Sequence, residues 1–189
     1  MEIVTKNILL TVLSELLKVC KDHKVKIVLM GGIAVGVYAR PRATYDIDGI
    51  ISIREEQIEN FLNTLKEAGF RYDKKEPIKF IQGLSFITLC YTKYKTYVDL
   101  FIAGNKFQEN ILARVKKVRF NKMTLNIISL EDLILIKLQT GRERDIEDVR
   151  DMITENKEKI DFGYLMRWAR ALNIHIFLED ELKSLRIGS

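Results

Sequence analysis

The sequence predicts an α/β (α+β) fold, with a mixed β-sheet core flanked by helices over residues 1–128 and a helical C-terminal part over residues 129–189. Short apolar runs rich in β-branched residues alternate with segments whose apolar residues recur at helical spacing. After residue 128 only the helical spacing remains. The 189 residues are 47% hydrophobic, which is enough for a packed core and excludes wholesale disorder.

The first elements follow from local pattern. Residues 5–20 carry apolar side chains every three or four positions, which predicts a helix. The run VKIVLM at 25–30 is typical of a strand. Residues 33–38 are small and apolar and predict a short helix, which Pro41 ends because proline lacks an amide donor. The run YDIDGIISI at 45–53 predicts a second strand.

The middle of the chain predicts a helix and then a hairpin. Residues 54–68 place their apolar side chains on one helical face. The apolar runs at 84–91 and 96–102 are joined by a short polar link, as in a β-hairpin. A further helix over residues 107–119 and a strand over 122–128 complete the predicted core.

The C-terminal part begins with a helix signal. Ser129 and Asp132 are spaced as in a capping box, with Asp in place of the usual Glu or Gln. The helix is predicted to run through Leu138, and Gly141 closes it. Three more helices are predicted over residues 143–155, 161–172 and 178–186.

Composition excludes several classes of protein. Cys20 and Cys90 are far apart and build neither a disulfide framework nor a zinc motif, which favours a reducing cytoplasm. No signal peptide and no membrane-length apolar run is recognised, so we expect no membrane partner. The isolated His23 and His175 disfavour a histidine metal site. The net charge of +5 is compatible with a nucleotide or nucleic-acid partner without requiring one.

Three carboxylates interrupt apolar strands. Asp46 and Asp48 are two residues apart and therefore point to the same face of their strand, and Asp99 stands among Val98, Leu100 and later apolar residues. No Lys or Arg lies within either strand to neutralise them. A divalent cation would do so, and two ions held by three carboxylates suit in-line displacement at phosphorus. The sequence therefore predicts a site for two Mg²⁺ ions, which Mn²⁺ could replace, at Asp46, Asp48 and Asp99.

A glycine pair follows the first strand. Gly31 and Gly32 separate that strand from a helix, and such a turn binds phosphate through exposed amides at a helix N-terminus. It is not a Walker A loop, because no Gly-Lys-Ser/Thr follows. Arg42 lies just beyond and is a candidate contact for a triphosphate, although loop arginines are usually only solvated.

Together these motifs resemble the DNA polymerase β-like nucleotidyltransferase superfamily. The stretch GGIAVGVYARPRATYDIDGII, with thirteen residues between Gly32 and Asp46, and the later YVDLFI follow its order of motifs. The stretch SLEDLILIKLQTGRERDIEDV is similar to one in the AbiEii/AbiGii-toxin-like branch. The resemblance covers roughly residues 25–150.

The resemblance implies roles for individual residues. Gly31 and Gly32 match the phosphate-binding turn. Asp46 and Asp48 match the metal-binding pair, and Asp99 matches the third carboxylate, which in the family also helps to deprotonate the acceptor hydroxyl. Two further sets of residues match the family pattern: Lys137, expected to reach toward the nucleotide phosphates, and a second cluster of Arg142, Asp145 and Asp148.

Simpler interpretations stand beside these roles. Lys137 either reaches solvent along an apolar face or pairs with a carboxylate of the site. Apart from Asp145, the dense charges of residues 142–151, including Arg144 and Asp148 four apart, are equally typical of a solvated, salt-bridged helix. The basic stretch 114–122 either contacts nucleic acid or is a surface face.

The sequence thus predicts a Mg²⁺-dependent enzyme that moves a nucleoside monophosphate from an NTP to a hydroxyl on an RNA end, a protein or a small molecule. It could act within a toxin–antitoxin system, with a cognate antitoxin or small helical protein as partner. Two alternatives stay open. One is a non-catalytic partner of a toxin–antitoxin pair. The other is a haloacid-dehalogenase-like phosphatase, because DIDGII resembles the Asp-x-Asp-Gly motif of that class.

Overall fold

The computed structural model of the protein describes residues 2–81, 83–121 and 123–187, and within them the chain forms eight helices and eight strands. The helices are α1 (Glu2–Asp22), α2 (Gly31–Tyr38), α3 (Glu55–Glu67), α4 (Lys106–Ala113), α5 (Leu130–Thr140), α6 (Glu143–Asn156), α7 (Phe162–Ala171) and α8 (His175–Ser184). The strands are β1 (Lys26–Met30), β2 (Asp46–Ser52), β3 (Phe70–Arg71), β4 (Lys79–Ile81), β5 (Leu84–Tyr91), β6 (Thr96–Ile102), β7 (Lys116–Phe120) and β8 (Met123–Ile127). The predicted α/β fold is confirmed.

All eight strands belong to one mixed sheet, in the order β3-β5-β6-β2-β1-β8-β7, with β4 also paired to β5. Strand β2 is antiparallel to β1 and parallel to β6. Strands β5 and β6 form the predicted hairpin. The topology therefore places β2 beside β6, although more than forty residues separate them in sequence.

The two faces of the sheet differ in burial. One face carries Ile27, Ile47, Ile87 and Val98, all almost fully buried, and helices α1 and α4 contact β1 and β2. Because side chains alternate along a strand, Asp46, Asp48 and Asp99 lie on the opposite face. That face is partly exposed: Asp46 is exposed and the other two carboxylates are half-buried.

The chain divides into two compact units. The first runs to Ile33 and resumes over Ala43–Ile128, and it contains the sheet. The second combines Ala34–Arg42 with the chain from Ser129 onward. The change of sequence pattern after residue 128 coincides with the start of the second unit's helices, whereas residues 34–42 join that unit without any sequence signal.

Within the second unit α5 packs against α6 and α7, and α7 packs against α8. The N-terminus of α5 is capped as its sequence predicts. The Ser129 hydroxyl accepts a hydrogen bond from the Asp132 amide and donates one to the Asp132 carboxylate. Gly141 ends the helix in the left-handed conformation, with φ of 63°.

One predicted helix is wrong in its second half. Residues 107–119 were expected to be helical throughout, but α4 ends at Ala113 and the basic stretch KKVRF forms strand β7. Strand β7 pairs antiparallel with β8 at the edge of the sheet, where lysines are common because they discourage further pairing. Strands β3 and β4 were not predicted, because two and three residues are too short to show a period. Helix α8 begins three residues earlier than expected.

The sequence predicts neither a disulfide framework nor a membrane-spanning helix. Cys20 is a buried free thiol and Cys90 a half-buried one. Across the described residues, every helix is too short or too polar to cross a lipid bilayer.

Candidate active site

Strand pairing places the three predicted carboxylates on one face of the sheet. Asp48 is the register partner of Asp99 across the parallel β2–β6 pair, and Asp46 lies two residues before Asp48 on the same face. Residues paired in adjacent strands lie about 5 Å apart, and residues two apart along a strand about 7 Å apart. The carboxylates therefore occupy neighbouring positions of one surface.

Threonine hydroxyls hold two of these carboxylates. Thr44 donates to Oδ1 of Asp46 over 2.7 Å, and Thr88, on the neighbouring strand β5, donates to Oδ1 of Asp99 over 2.8 Å. Sequence analysis missed both threonines. The sequence gives a weak signal for Thr44, because it lies two residues before Asp46 and this spacing is typical of side chains on one face of an extended segment. Thr88 had none, because its pairing with Asp99 depends on the β5–β6 register.

The donor atoms suit a hard divalent cation, because the three side chains offer only carboxylate oxygens. In the described residues no group of three or more His, Cys, Asp or Glu side chains is arranged around one point, as a metal centre would require. The Mg²⁺ site therefore stays a prediction, supported by the strand register and the type of ligand.

Gly31 lies close to the Asp48 carboxylate and has a backbone conformation that favours glycine. It begins helix α2 with φ of +60°, a left-handed conformation that glycine adopts without strain. A Cβ on Gly31 would lie 1.9 Å from Oδ2 of Asp48, so any side chain would displace that carboxylate. A Cβ on Gly32 would lie 2.6 Å from the hydroxyl of Thr44. The two glycines thus let the N-terminus of α2 approach Asp48 and the threonine that holds Asp46.

A buried network of charges connects the other predicted residues within the second unit. The ammonium group of Lys137 is 2.7 Å from Oδ1 of Asp145 and 2.7 Å from Oδ2 of Asp148. All three residues are at most 6% exposed. Arg42 binds both oxygens of Asp148, at 3.1 and 2.9 Å. Arg142 donates to Asp145 over 2.6 Å.

This network corrects the interpretation of residues 142–151 as a merely solvated helix. Asp145 and Asp148 point inward, and Asp148 pairs with Arg42 and Lys137 rather than with Arg144. Lys137 does not reach solvent. Its observed carboxylate partners are Asp145 and Asp148 of the second cluster. The pairing of Lys137 with a carboxylate of the metal site, and the contacts of Lys137 and Arg42 with nucleotide phosphates, stay predictions. Sequence analysis also missed Thr140, whose hydroxyl is 2.7 Å from Asp145.

The network keeps its carboxylates ionised. Burial opposes the charged form of Asp145, but hydrogen bonds from Arg142, Lys137 and Thr140 outweigh it and lower its pKa from 3.8 to about 2. Burial acts on Asp148 in the same way, and Arg42 and Lys137 lower the pKa of that carboxyl.

The lowered pKa of Asp145 predicts a specific loss of stability in acid. A carboxyl with a lower pKa in the folded chain stabilises the fold fully above its unfolded pKa, and the effect is lost as pH falls through the folded pKa. The free energy of unfolding should therefore fall by about 2 kcal/mol between about pH 5 and pH 2 on account of Asp145. Urea denaturation across this range measures it. Asp145→Asn should show a shallower pH dependence, and parallel curves for the two proteins would contradict the assignment.

Comparison with known structures supports the fold. The solution structure of the antibiotic-resistance factor ANT(2'')-Ia matches with a TM-score of 0.61 and 14% identity, over 94% of this chain and 100% of that one. The lincosamide antibiotic adenylyltransferase LnuA, with lincomycin bound, matches with a TM-score of 0.53 and 19% identity, over 74% and 93%. A putative nucleotidyltransferase from Thermotoga maritima matches with a TM-score of 0.51 and 20% identity, over 77% and 92%.

The comparison with curated proteins found no match. The family described as "Nucleotidyltransferase of unknown function (DUF6036)" matches residues 7–186. That stretch includes the glycine pair, the three strand carboxylates and the Lys137 network. Because the match spans nearly the whole chain, the protein belongs to the DUF6036 family of nucleotidyltransferases and is a transferase enzyme.

Proposed function

We propose that this nucleotidyltransferase is Mg²⁺-dependent and transfers a nucleoside monophosphate from an NTP to a hydroxyl acceptor, releasing pyrophosphate. The observation that carries the proposal is the register of Asp48 with Asp99, with Asp46 on the same face and the Gly31 turn against Asp48. Carboxylates and a glycine turn at a helix N-terminus are the two halves of a site for a metal-bound triphosphate.

The chemistry assigns a task to each group. The acceptor oxygen forms a bond to the α-phosphorus, the bond from that phosphorus to the bridging oxygen breaks, and pyrophosphate leaves with the electron pair. The acceptor's proton passes to the carboxylate of Asp99, which Thr88 orients. The amides of Gly31 and Gly32 bind the phosphates. Mg²⁺ or Mn²⁺ held by Asp46, Asp48 and Asp99 would neutralise phosphate charge and polarise the reacting phosphoryl group.

The phosphatase alternative fits the structure poorly. Its motif should follow an apolar strand, but Asp46 is the first residue of β2, and residues 39–45 before it form no strand.

Three expectations stay predictions: the place of the chain in the AbiEii/AbiGii-toxin-like branch, a cognate antitoxin or small helical partner, and a cytoplasmic location. Co-purification with the products of adjacent genes tests the partner.

Thermal unfolding with metal and nucleotide tests the proposal. Millimolar Mg²⁺ or Mn²⁺ with a non-hydrolysable NTP should raise the Tm, because a ligand at 100 times its Kd that binds only the folded state contributes ~2.7 kcal/mol. Gly31→Ala should lose this shift, because a Cβ displaces Asp48 and strains the backbone.

The companion measurement is transfer of label from each of the four NTPs to a cell extract, with products separated into nucleic acid, protein and small molecules. The absence of both a Tm shift and any labelled product with all four NTPs would contradict the proposed function. An equal Tm shift in Gly31→Ala would contradict the assignment of the glycine turn.

A further inference from the structure

The sheet face that carries the carboxylates continues into aromatic side chains. On β6, Tyr97 and Phe101 lie two residues to either side of Asp99 and therefore on its face. Phe86, the register partner of Phe101 on β5, packs against it with ring centroids 5.6 Å apart. We call Phe86, Tyr97 and Phe101 the aromatic stripe.

The aromatic stripe is open to ligands. Tyr97 is 57% exposed, and Phe86 and Phe101 are half-buried. About 7 Å separates same-face neighbours along a strand, so the ring of Phe101 and the carboxylate of Asp99 fall within the dimensions of one nucleotide. Accessible aromatic side chains are suited to stack on nucleobases, and such stacking does not depend on base identity because every base has a π-face.

Cations border the aromatic stripe on its outer side. Lys79 on β4 is the register partner of Phe86, and Arg71 on β3 is the partner of Cys90, so both lie at the edge of the same face. Arg71 is exposed and Lys79 half-buried. In strands β2 to β6 the carboxylates on this face are Asp46, Asp48 and Asp99, the ones assigned to the metal.

We propose that the acceptor is the 3′-terminal hydroxyl of a single-stranded nucleic acid, with its last bases on the aromatic stripe and its phosphates at Lys79 and Arg71. The inference rests on the proposed function and deepens it. Charge decides the class of acceptor. A polyanionic strand is attracted to Lys79 and Arg71, whereas a polycationic antibiotic would be repelled by those cations.

The reaction is then an extension of the strand by one nucleotide. The terminal 3′ oxygen bonds to the α-phosphorus of the NTP, pyrophosphate leaves with the electron pair of the broken bond, and the hydroxyl proton passes to Asp99.

The test measures binding and extension separately. Fluorescein-labelled 12-nucleotide RNA and DNA, with a 3′-hydroxyl or a 3′-phosphate, are titrated with the full chain by fluorescence anisotropy at several salt concentrations, without NTP. The 3′-hydroxyl strands and the 3′-phosphate strands are then incubated with each NTP and Mg²⁺ and resolved on a gel. Phe101→Leu removes a stacking ring, and Phe80→Leu, at an exposed position on the opposite face, is its control. Lys79→Gln is paired with Lys21→Gln on α1.

We expect binding by wild type, extension only of 3′-hydroxyl strands, and at least about fivefold weaker binding by Phe101→Leu, as loss of ~1–3 kcal/mol of stacking per base requires. Lys79→Gln should reduce the slope of log K against log salt by about 0.7. Phe80→Leu and Lys21→Gln should match wild type. Preferred extension of RNA or of DNA shows whether the acceptor strand carries ribose or deoxyribose.

Two outcomes would overturn the inference: no binding of any strand, or binding without extension by any NTP. Equal affinities for Phe101→Leu and Phe80→Leu would overturn the role of the aromatic stripe. If wild type labels protein or small molecules in the extract and neither binds nor extends the strands, this inference fails while the proposed nucleotidyl transfer stands.

Discussion

Asp48→Asn should reduce nucleotidyl transfer by about a thousandfold or more, while the metal-free protein unfolds at the same temperature as wild type or slightly above it. Asp48 lies next to Asp99 and on the face of Asp46, so three carboxylates repel one another in the absence of a cation. Asn keeps the volume and removes one charge. Loss of several kcal/mol of metal-dependent stabilisation of the transition state corresponds to a rate loss of this order.

The experiment compares melting curves with and without Mg²⁺ and NTP, alongside the rate of transfer. Asp151→Asn is the matched control, because Asp151 is an exposed aspartate on α6, and it should leave all values unchanged. If the carboxylate were structural, Asp48→Asn would lose charge-assisted hydrogen bonds worth ~1.5–3 kcal/mol and melt lower. A markedly lower Tm with transfer intact would refute the catalytic assignment.

Lys137→Met should lower the free energy of unfolding by about 3–5 kcal/mol, the usual cost of removing one partner from a buried ion pair. Lys137 is 5% exposed and its ammonium group binds two buried carboxylates. Met fills a similar volume but leaves Asp145 without its buried cation. The loss comes from the stranded charge rather than from packing.

Two further variants separate these causes in urea denaturation. Arg142→Gln should cost less than about 1 kcal/mol, because the Arg142 side chain is 77% exposed and its pairing with Asp145 is screened by water. The double variant Lys137→Met, Asp145→Asn should recover much of the stability, because Arg42 still pairs with Asp148 through both oxygens. If the double variant is less stable than Lys137→Met, a buried carboxylate that has lost its cation is not the cause of the destabilisation.

The predictable elements share one property, which is a local pattern long enough to show its period. Strands β5 and β6 coincide with their predicted limits, because each has seven or more residues of apolar and β-branched character. The limits of α5 are set by Ser129 and Gly141, whose capping chemistry is local. The helix prediction for the stretch KKVRF was wrong, because this stretch forms a strand by pairing with β8 and not through a local sequence pattern.

The candidate site divides in the same way. Asp46 and Asp48 stand out because charge inside an apolar strand is visible in the sequence, and the period of two puts them on one face. The contact between Gly31 and Asp48 requires β1 and β2 to be antiparallel, with Met30 opposite Asp48. The contact between Thr88 and Asp99 requires the β5–β6 register.

The sequence by itself determined the fold class, most helices and strands, and the identity of the three strand carboxylates and the glycine turn, because composition and periodicity are local properties of the chain. Only the tertiary structure decided which residues are neighbours. It placed β2 beside β6, so that Asp48 faces Asp99. It also buried the ion pair of Lys137 with Asp148, two residues whose sequence context was equally compatible with exposure to solvent. Contacts between residues distant along the chain depend on strand order and helix packing. Burial then sets how strongly the charges of those residues interact.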